Sequence, residues 1–347
     1  MKSYFIVMLV VRTENLLLVT TKMMSGGRAL QPEAGPTGCI TIGVATRSKP
    51  EWVTAESQPA VNVLLPSLNS TAPDGWRLSV HLGYDDNDPF WTQTSKREQA
   101  LSLLAARSRR SITFMATQMN GTAGAPCWVW SQLFQRSCDS GCEYFFQLGD
   151  DIQFRTPNWA QTLTSALQSN QYLRNFGVAG PTDLTYAHKY PLGAPKLLTQ
   201  SFVHCTHLEI FGSYYPAIFK NWFSDDWISQ VYGRQHTFPS TSLLLKNELS
   251  AGPAVRYNIS FGDRSELQEQ ILLGRAMING WITRKHPELA SFSTQLGMAD
   301  RVFLPPRITP ERARATATAT DAATDAATDA ASRGGGSGGS HHQRHTV

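Results

Sequence analysis

Two pairs of adjacent aspartates are the residues whose type and spacing could do chemistry. The first pair, Asp150 and Asp151, directly follows the apolar run at residues 143–148 (EYFFQL), which predicts a buried strand. Adjacent carboxylates repel each other unless a cation lies between them or one of them is protonated. Mg²⁺ and Mn²⁺ bind carboxylate oxygens together with substrate phosphates, so the pair predicts a metal site that holds a diphosphate. The alternative is a solvated turn in which Asp150 caps the next segment.

The second pair, Asp225 and Asp226, lies between Trp222 and Trp227. Apolar neighbours raise the pKa of a carboxyl group toward a value that suits a general base. The alternative is an ordinary helix start, with Ser224 as the cap and both aspartates in the first turn. The two interpretations are compatible, because a first-turn carboxylate can still face a cleft.

The elements that must position these aspartates alternate between strands and helices from about residue 38 to residue 307. The predicted strands cover residues 39–45, 76–83, 111–115 and 143–148, and the predicted helices cover residues 59–68, 96–107, 125–140 and 266–278. This alternation predicts an α/β sandwich with a mainly parallel central sheet. Ligands of such sheets bind beyond the carboxyl ends of the strands. Three polar loops follow strand ends there, and they contain Thr46 and Arg47, Asp85 and Asp86, and Asp150 and Asp151.

Several segments resemble, in their order along the chain, those of GT-A fold glycosyltransferases, which use nucleotide-diphospho-sugars as donors. Residues 144–152 (YFFQLGDDI) resemble the short DxD-type acidic motif of that fold. The other similar segments are residues 42–47 (first strand and nucleotide loop), 82–89 (acidic loop that reads the base or ribose), 120–130 (segment over the donor) and 175–181 (following strand). The resemblance covers about residues 38–290 and implies a GT-A-like, Rossmann-type α/β/α sandwich.

The resemblance also implies a function, a metal-dependent transfer of a sugar from a nucleotide-diphosphate donor to an acceptor hydroxyl. Its expected metal ion, Mn²⁺ or Mg²⁺, has Asp150, Asp151 and the late histidine His286 as ligands; a structural role is the alternative for His286. Asp225 and Asp226 resemble the aromatic-flanked acidic motif of inverting transferases, in which a carboxylate takes the acceptor proton. The expected donor-binding residues are Thr46, Arg47, Asp85, Asp86, Trp130, Gly149 and Asp150. The acceptor would be a carbohydrate or a glycoconjugate.

Three other interpretations stay open. A nucleotidyltransferase shares this sheet architecture, but it needs a glycine-rich loop after the first strand, and residues 46–50 (TRSKP) contain no glycine. A non-catalytic sugar- or nucleotide-binding protein of the same fold is disfavoured by two intact acidic pairs, although a fold does not guarantee activity. An unrelated α/β protein with coincidental acidic turns is the third.

The ends of the chain differ in composition from its middle. Residues 1–35 form an apolar and linker segment, whose run at residues 4–11 is too short for a spanning helix but fits a signal or an anchor. Residues 36–310 are the predicted catalytic domain, with a donor half at about 36–182 and an acceptor half at about 183–310. Residues 311–347 are rich in Ala, Thr, Asp, Gly and Ser, which predicts a disordered tail. Membrane association through the N-terminus and a Golgi or secretory location are expectations on this basis, with the cytoplasm as the alternative.

Charge and cysteine content exclude some classes. A net charge of +4, from 31 basic and 27 acidic residues, does not predict nucleic acid as a partner. Five cysteines without a CxxC pair argue against a zinc ribbon. Buried, reduced cysteines are the favoured interpretation, with one disulfide as the alternative.

Overall fold

The computed structural model describes residues 12–13, 16–17, 38–109, 111–186, 197–248, 256, 263–292 and 302. The chain divides into two compact units, Met1–Gly35 and Pro36–Val347. In the first unit the described residues are a short antiparallel pair, β1 (Arg12–Thr13) and β2 (Leu16–Leu17). The apolar run at residues 4–11 and the tail at residues 311–347 lie outside the described residues. Among the described helices, none combines the length and apolar character needed to cross a membrane.

The second unit is built on an eight-stranded sheet with the strand order β5-β4-β3-β6-β9-β8-β10-β7. Its strands are β3 (Gly38–Thr46), β4 (Trp76–Asp85), β5 (Ile112–Met119), β6 (Tyr144–Gly149), β7 (Ile152–Phe154), β8 (Val178–Asp183), β9 (Ser201–His204) and β10 (Thr237–Asn247). Strands β3 to β6 are mutually parallel, β9 is antiparallel to both β6 and β8, β10 is parallel to β8, and β7 is antiparallel to β10. The predicted α/β sandwich with a mainly parallel sheet is confirmed, and it is consistent with a Rossmann-like GT-A fold.

Helices cover both faces of this sheet, which explains why its strands β3 and β6 are apolar at most positions. The helices are α1 (Leu65–Thr71), α2 (Thr94–Arg107), α3 (Pro126–Asp139), α4 (Trp159–Gln168), α5 (Thr206–Phe211), α6 (Ser224–Val231) and α7 (Arg264–Lys285). Ile40, Ile42 and Val44 of β3 pack in the cluster that includes α1, α2 and α4, whereas Phe145 of β6 packs with α3, α6 and α7. Helix α3 packs closely against β4, since a Cβ atom at Gly83 of β4 would lie 2.5 Å from Val129 of α3.

Several elements differ from their predicted bounds. The predicted helix at residues 59–68 is a π-helical turn, Ala60–Leu64, that continues as α1. The last predicted helix is longer at both ends, since α7 covers Arg264–Lys285. It starts at a capping box in which Asp263 accepts from the Ser265 N–H and Glu266 accepts from the Asp263 N–H. Strands β4 and β5 run further than predicted, and this brings Asp85 to the last position of β4.

The expectation of reduced cysteines is wrong. Cys39, at the start of β3, is bonded to Cys142, which precedes β6, and Cys138, at the end of α3, is bonded to Cys205, which precedes α5. All five cysteines are described, and Cys127 is the one that stays free, buried in α3. Because β3 and β6 are parallel neighbours, both disulfides lie near the amino ends of the strands, away from the strand ends that carry the acidic loops.

Candidate functional site

The carboxyl ends of three adjacent strands form one side of the candidate site. Thr46 ends β3 and pairs with Tyr84 of β4, and Ala45 pairs with Gly149, which ends β6. Strand β8 runs in the same direction as β6, because β9 between them is antiparallel to both. Asp183, the last residue of β8, therefore lies at the same edge of the sheet.

Asp150 and Asp151 are buried at this edge, with 0% and 5% of their surface exposed. The Thr46 hydroxyl donates to Oδ2 of Asp150 at 2.6 Å. A Cβ atom at Gly149 would lie 2.7 Å from Oδ1 of Asp151, so glycine makes room for the folded-back carboxylate. Burial raises the pKa of Asp151 to about 6, with a further rise from the charge of Asp150, while Arg256 opposes the rise.

Arg256 is the cation that contacts this acidic pair. Its Nη1 lies 2.5 Å from Oδ1 of Asp150 and its Nη2 lies 2.7 Å from Oδ2 of Asp151. Its guanidinium also lies over the ring of Trp52, 5.7 Å from the centroid. Sequence reasoning missed both residues, because nothing in the residues around Arg256 marks it as a partner of aspartates 105 and 106 positions away.

The acidic pair offers hard oxygen donors of the kind that Mg²⁺ and Mn²⁺ prefer, so the residues fit a divalent ion whose other ligands would be phosphate oxygens or water. In the described part of the chain, however, no group of three or more His, Cys, Asp or Glu side chains is placed to hold a metal ion. The structure does not bring His286 to the pair: it ends α7, where its Nδ1 lies 3.4 Å from Glu288 and its ring contacts Trp281. The metal role stays a prediction.

The predicted nucleotide-binding residues Arg47 and Asp85 are brought together. Nη1 of Arg47 donates to Oδ2 of Asp85 at 2.5 Å and to Oδ1 of Asn87 at 3.0 Å. Asp85 is buried and also accepts from the Thr122 hydroxyl at 2.9 Å. The exposed Asp86 accepts from the backbone of the next loop. These bonds tie the loops after β3, β4 and β5 together beside the acidic pair.

Trp130 and Gly149, whose donor-binding roles stay predictions, make structural contacts. Trp130 lies on α3, half-buried, and its indole N–H donates to the carbonyl oxygen of Leu148 at 3.0 Å. This bond fixes α3 against the end of β6. The N–H of Gly149 donates to Oε1 of Gln200 at 3.2 Å.

Asp225 and Asp226 lie in the first turn of α6, as the helix-start interpretation predicts. Ser224 is not the cap, since the described residues show no side-chain cap there and its hydroxyl instead lies 3.4 Å from Oδ1 of Asp225. The residue before the helix, Phe223, has φ 65°, so the chain enters α6 through a residue in the left-handed conformation. Both aspartates are partly buried and keep part of their surface open to solvent.

The electrostatics of the two aspartates differ. Burial raises the pKa of Asp225 well above its ordinary value, and the charges of Asp226 and Asp183 raise it further. Burial raises the pKa of Asp226 to about 6. At neutral pH Asp226 is therefore ionised, while Asp225 retains its proton more strongly.

Asp183 was missed by sequence reasoning. It accepts from the Thr199 hydroxyl and from the Thr185 N–H, both at 2.9 Å, and its charge reaches Asp225. It thereby links the start of α6 to the strand-end edge that holds Asp150 and Asp151. The resemblance predicted a strand at residues 175–181, which stops two residues before Asp183, whereas β8 continues to Asp183.

Comparison with known proteins adds little beyond the architecture. No protein-family model matches the sequence, and no curated protein matches it. Among solved structures, the crystal structure of S. aureus TarS is similar with a TM-score of 0.44 and 10% sequence identity. The match covers 77% of this chain and 46% of the TarS chain, so the chain spans about half of that protein. At this level the likeness says nothing about activity.

Proposed function

We propose that the protein is a glycosyltransferase, which moves a sugar from a nucleotide-diphosphate donor to an acceptor hydroxyl with inversion at the anomeric carbon. The observation that supports this best is the convergence of two chemically different acidic pairs at one edge of the sheet. One pair, Asp150 and Asp151, is buried and forms ion pairs with the guanidinium of Arg256. The other pair, Asp225 and Asp226, is partly exposed, and the charge of Asp183, which ends β8 at the same edge, raises the pKa of Asp225.

The donor would bind along the ends of β3, β4 and β6. The Thr46 hydroxyl orients the Asp150 carboxylate, and Asp85 holds the Arg47 guanidinium beside the loops that would contact the nucleotide. A Mn²⁺ or Mg²⁺ ion held by Asp150 and Asp151, when bound, would neutralise charge on the departing diphosphate. Such charge stabilisation is the main contribution that a protein makes to a reaction with an anionic leaving group.

The acceptor would be activated by Asp226. A general base must be ionised at the working pH, and a pKa of about 6 meets this condition while still allowing the carboxylate to accept a proton. In the proposed step the acceptor oxygen forms a bond to the anomeric carbon, its proton moves to Asp226, and the bond from the anomeric carbon to the diphosphate oxygen breaks. Burial and the charge of Asp226 raise the pKa of Asp225 well above its ordinary value, which favours its protonated form as a hydrogen-bond donor.

The proposal is tested by measuring nucleotide release from a panel of UDP- and GDP-sugars by the full chain, with Mn²⁺ or with chelator. We expect release from one donor, and loss of that release in Asp151→Asn. The exposed substitution Asp139→Asn, at the end of α3, is the matched control and should leave the rate unchanged. Absence of release from every donor and acceptor tried, by a folded protein, would contradict the proposal.

One observation favours a second candidate, a nucleotide- or sugar-binding protein without turnover. The acidic pair is already neutralised in part by Arg256, so the fold does not need a metal ion to hold two buried carboxylates. Equilibrium binding of UDP or a UDP-sugar in the absence of nucleotide release would support this candidate over the transferase.

A further inference from the structure

Arg256 occupies the carboxylate oxygens that a divalent ion would need. Oδ1 of Asp150 accepts from Nη1 of Arg256, and the other oxygen, Oδ2, accepts from the Thr46 hydroxyl. Oδ2 of Asp151 accepts from Nη2 of the same guanidinium. Both oxygens of Asp150 and one oxygen of Asp151 are therefore engaged, and a metal ion that bridges the pair would compete with these donors.

The arrangement is a specific one and not a chance surface contact. The side chain of Arg256 is 14% exposed, and those of Asp150 and Asp151 are 0% and 6% exposed. A guanidinium that spans two carboxylates through separate nitrogens is geometrically matched to them, and the exclusion of water strengthens each bond. Two further contacts hold the group in place, the Trp52 ring beneath it and the carbonyl oxygen of Arg47 at 3.4 Å from Nη1.

Strand β10, which precedes Arg256 in the chain, also ends beside the acidic pair. Asn247, the last residue of β10, pairs with Ile152, and the N–H of Glu248 donates to the carbonyl oxygen of Asp151 at 3.0 Å. The chain thus leaves β10 directly beside the acidic pair before it reaches Arg256.

We propose that Arg256 is a built-in competitor of the divalent cation: the guanidinium and the metal ion bind the same carboxylates of Asp150 and Asp151 in mutually exclusive states. A doubly charged ion at these oxygens would lie within a few ångströms of the guanidinium if both stayed, and the two cations would repel each other strongly in a buried site. Metal binding must therefore include the cost of releasing Arg256. This inference rests on the proposed function only in assigning a metal ion to the pair.

The competition is tested by measuring Mn²⁺ binding to the full chain by isothermal titration calorimetry, with the free Mn²⁺ signal in electron paramagnetic resonance as a second readout. We expect Arg256→Gln to bind Mn²⁺ at least tenfold more tightly than the wild type. Arg256→Lys keeps a positive charge but loses the two-pronged geometry, and its affinity should fall between the two. The control Arg109→Gln removes a guanidinium at the opposite edge of the sheet, where it contacts the carbonyl oxygen of Ala72, and should leave the affinity unchanged.

The outcomes separate this inference from the proposed function. Equal or weaker Mn²⁺ binding in Arg256→Gln would overturn the competition, and so would an absence of Mn²⁺ binding in every variant. The tighter binding must also disappear in the double variant Arg256→Gln/Asp151→Asn, because binding that survives there is not at the acidic pair.

Sugar transfer that persists in chelator would leave the proposed function intact while removing its metal ion. Confirmed competition without transfer to any acceptor would leave Arg256 as the competitor and remove the transferase proposal. Circular dichroism shows whether each variant is folded.

Discussion

Replacing Asp226 by asparagine should stabilise the protein at neutral pH while it removes the proposed base. Ionised Asp226 is unfavourable in the fold, because burial raises its pKa from 3.8 to about 6. At about 1.4 kcal/mol per pH unit, this displacement corresponds to about 3 kcal/mol. Since Asp226 keeps part of its surface in water, we expect a gain of about 1–3 kcal/mol in the free energy of unfolding at pH 7.5.

The sign follows from proton linkage. Above about pH 6 the carboxyl group is ionised in both the folded and unfolded states, so its full burial cost is present. Between about pH 6 and pH 4 the folded state keeps the proton and the unfolded state loses it, and the cost declines as the pH falls. Below about pH 4 both states are protonated. The stabilisation by Asp226→Asn should therefore be complete above pH 6 and close to zero at pH 4.

Urea unfolding followed by circular dichroism at pH 7.5, 6, 5 and 4 measures this difference. The control is Asp74→Asn, since the Asp74 side chain is fully exposed and should change stability by less than about 0.5 kcal/mol at every pH. A destabilised Asp226→Asn protein at pH 7.5, or a gain that does not decline toward pH 4, would refute the reasoning that burial controls this carboxylate.

Three further predictions concern the pH profile, the disulfides and the sheet packing. If Asp226 is the base, the rate of nucleotide release at low substrate should rise with pH around a midpoint of about 6, and a flat profile between pH 5 and pH 7 would argue against it. The variant Cys138→Ser/Cys205→Ser opens a 67-residue loop and should lower the free energy of unfolding by about 2–5 kcal/mol in urea titrations; an unchanged midpoint would count against this pairing. Gly43→Ala puts a Cβ atom into the ring of the buried Phe145 and should lower the free energy of unfolding by about 1–3 kcal/mol. Its control, Gly280→Ala inside α7, meets only the end of the Arg284 side chain and should raise the free energy of unfolding by about 0.5–1 kcal/mol. Thermal denaturation of the two alanine variants would contradict the packing argument if their order were reversed.

The strands that carry the first half of the site were predictable because they are continuous apolar runs. Strands β3 and β6 are buried on both faces, so their residues are apolar at nearly every position and end abruptly at polar ones. The rule that ligands bind at the carboxyl ends of parallel strands then selected Thr46, Asp85 and Asp150, and the structure does place them side by side. Their binding roles stay predictions.

The remaining features depend on contacts that a linear sequence does not contain. Arg256 meets Asp150 across 106 positions, and its own neighbours give no periodic signal. Any one of the five cysteines can stay unpaired and the other four can pair in three ways, so the sequence did not reveal that Cys138 and Cys142 are bonded to different partners. His286 was selected from its position late in the chain, whereas its contacts are with Trp281 and Glu288 at the end of α7.

The most direct test of the transferase proposal is sugar transfer by wild-type protein and by Asp226→Asn, measured side by side at pH 7.5. The full chain is incubated with the donor that it hydrolyses, Mn²⁺ and a panel of carbohydrate acceptors, and the products are analysed by mass spectrometry and by NMR of the new anomeric centre. We expect a glycosylated product of inverted configuration from the wild type, and a rate at least 100-fold lower from Asp226→Asn, on the order of what loss of a general base costs. An Asp226→Asn protein that transfers sugar at the wild-type rate, or a product of retained configuration, would contradict the proposal.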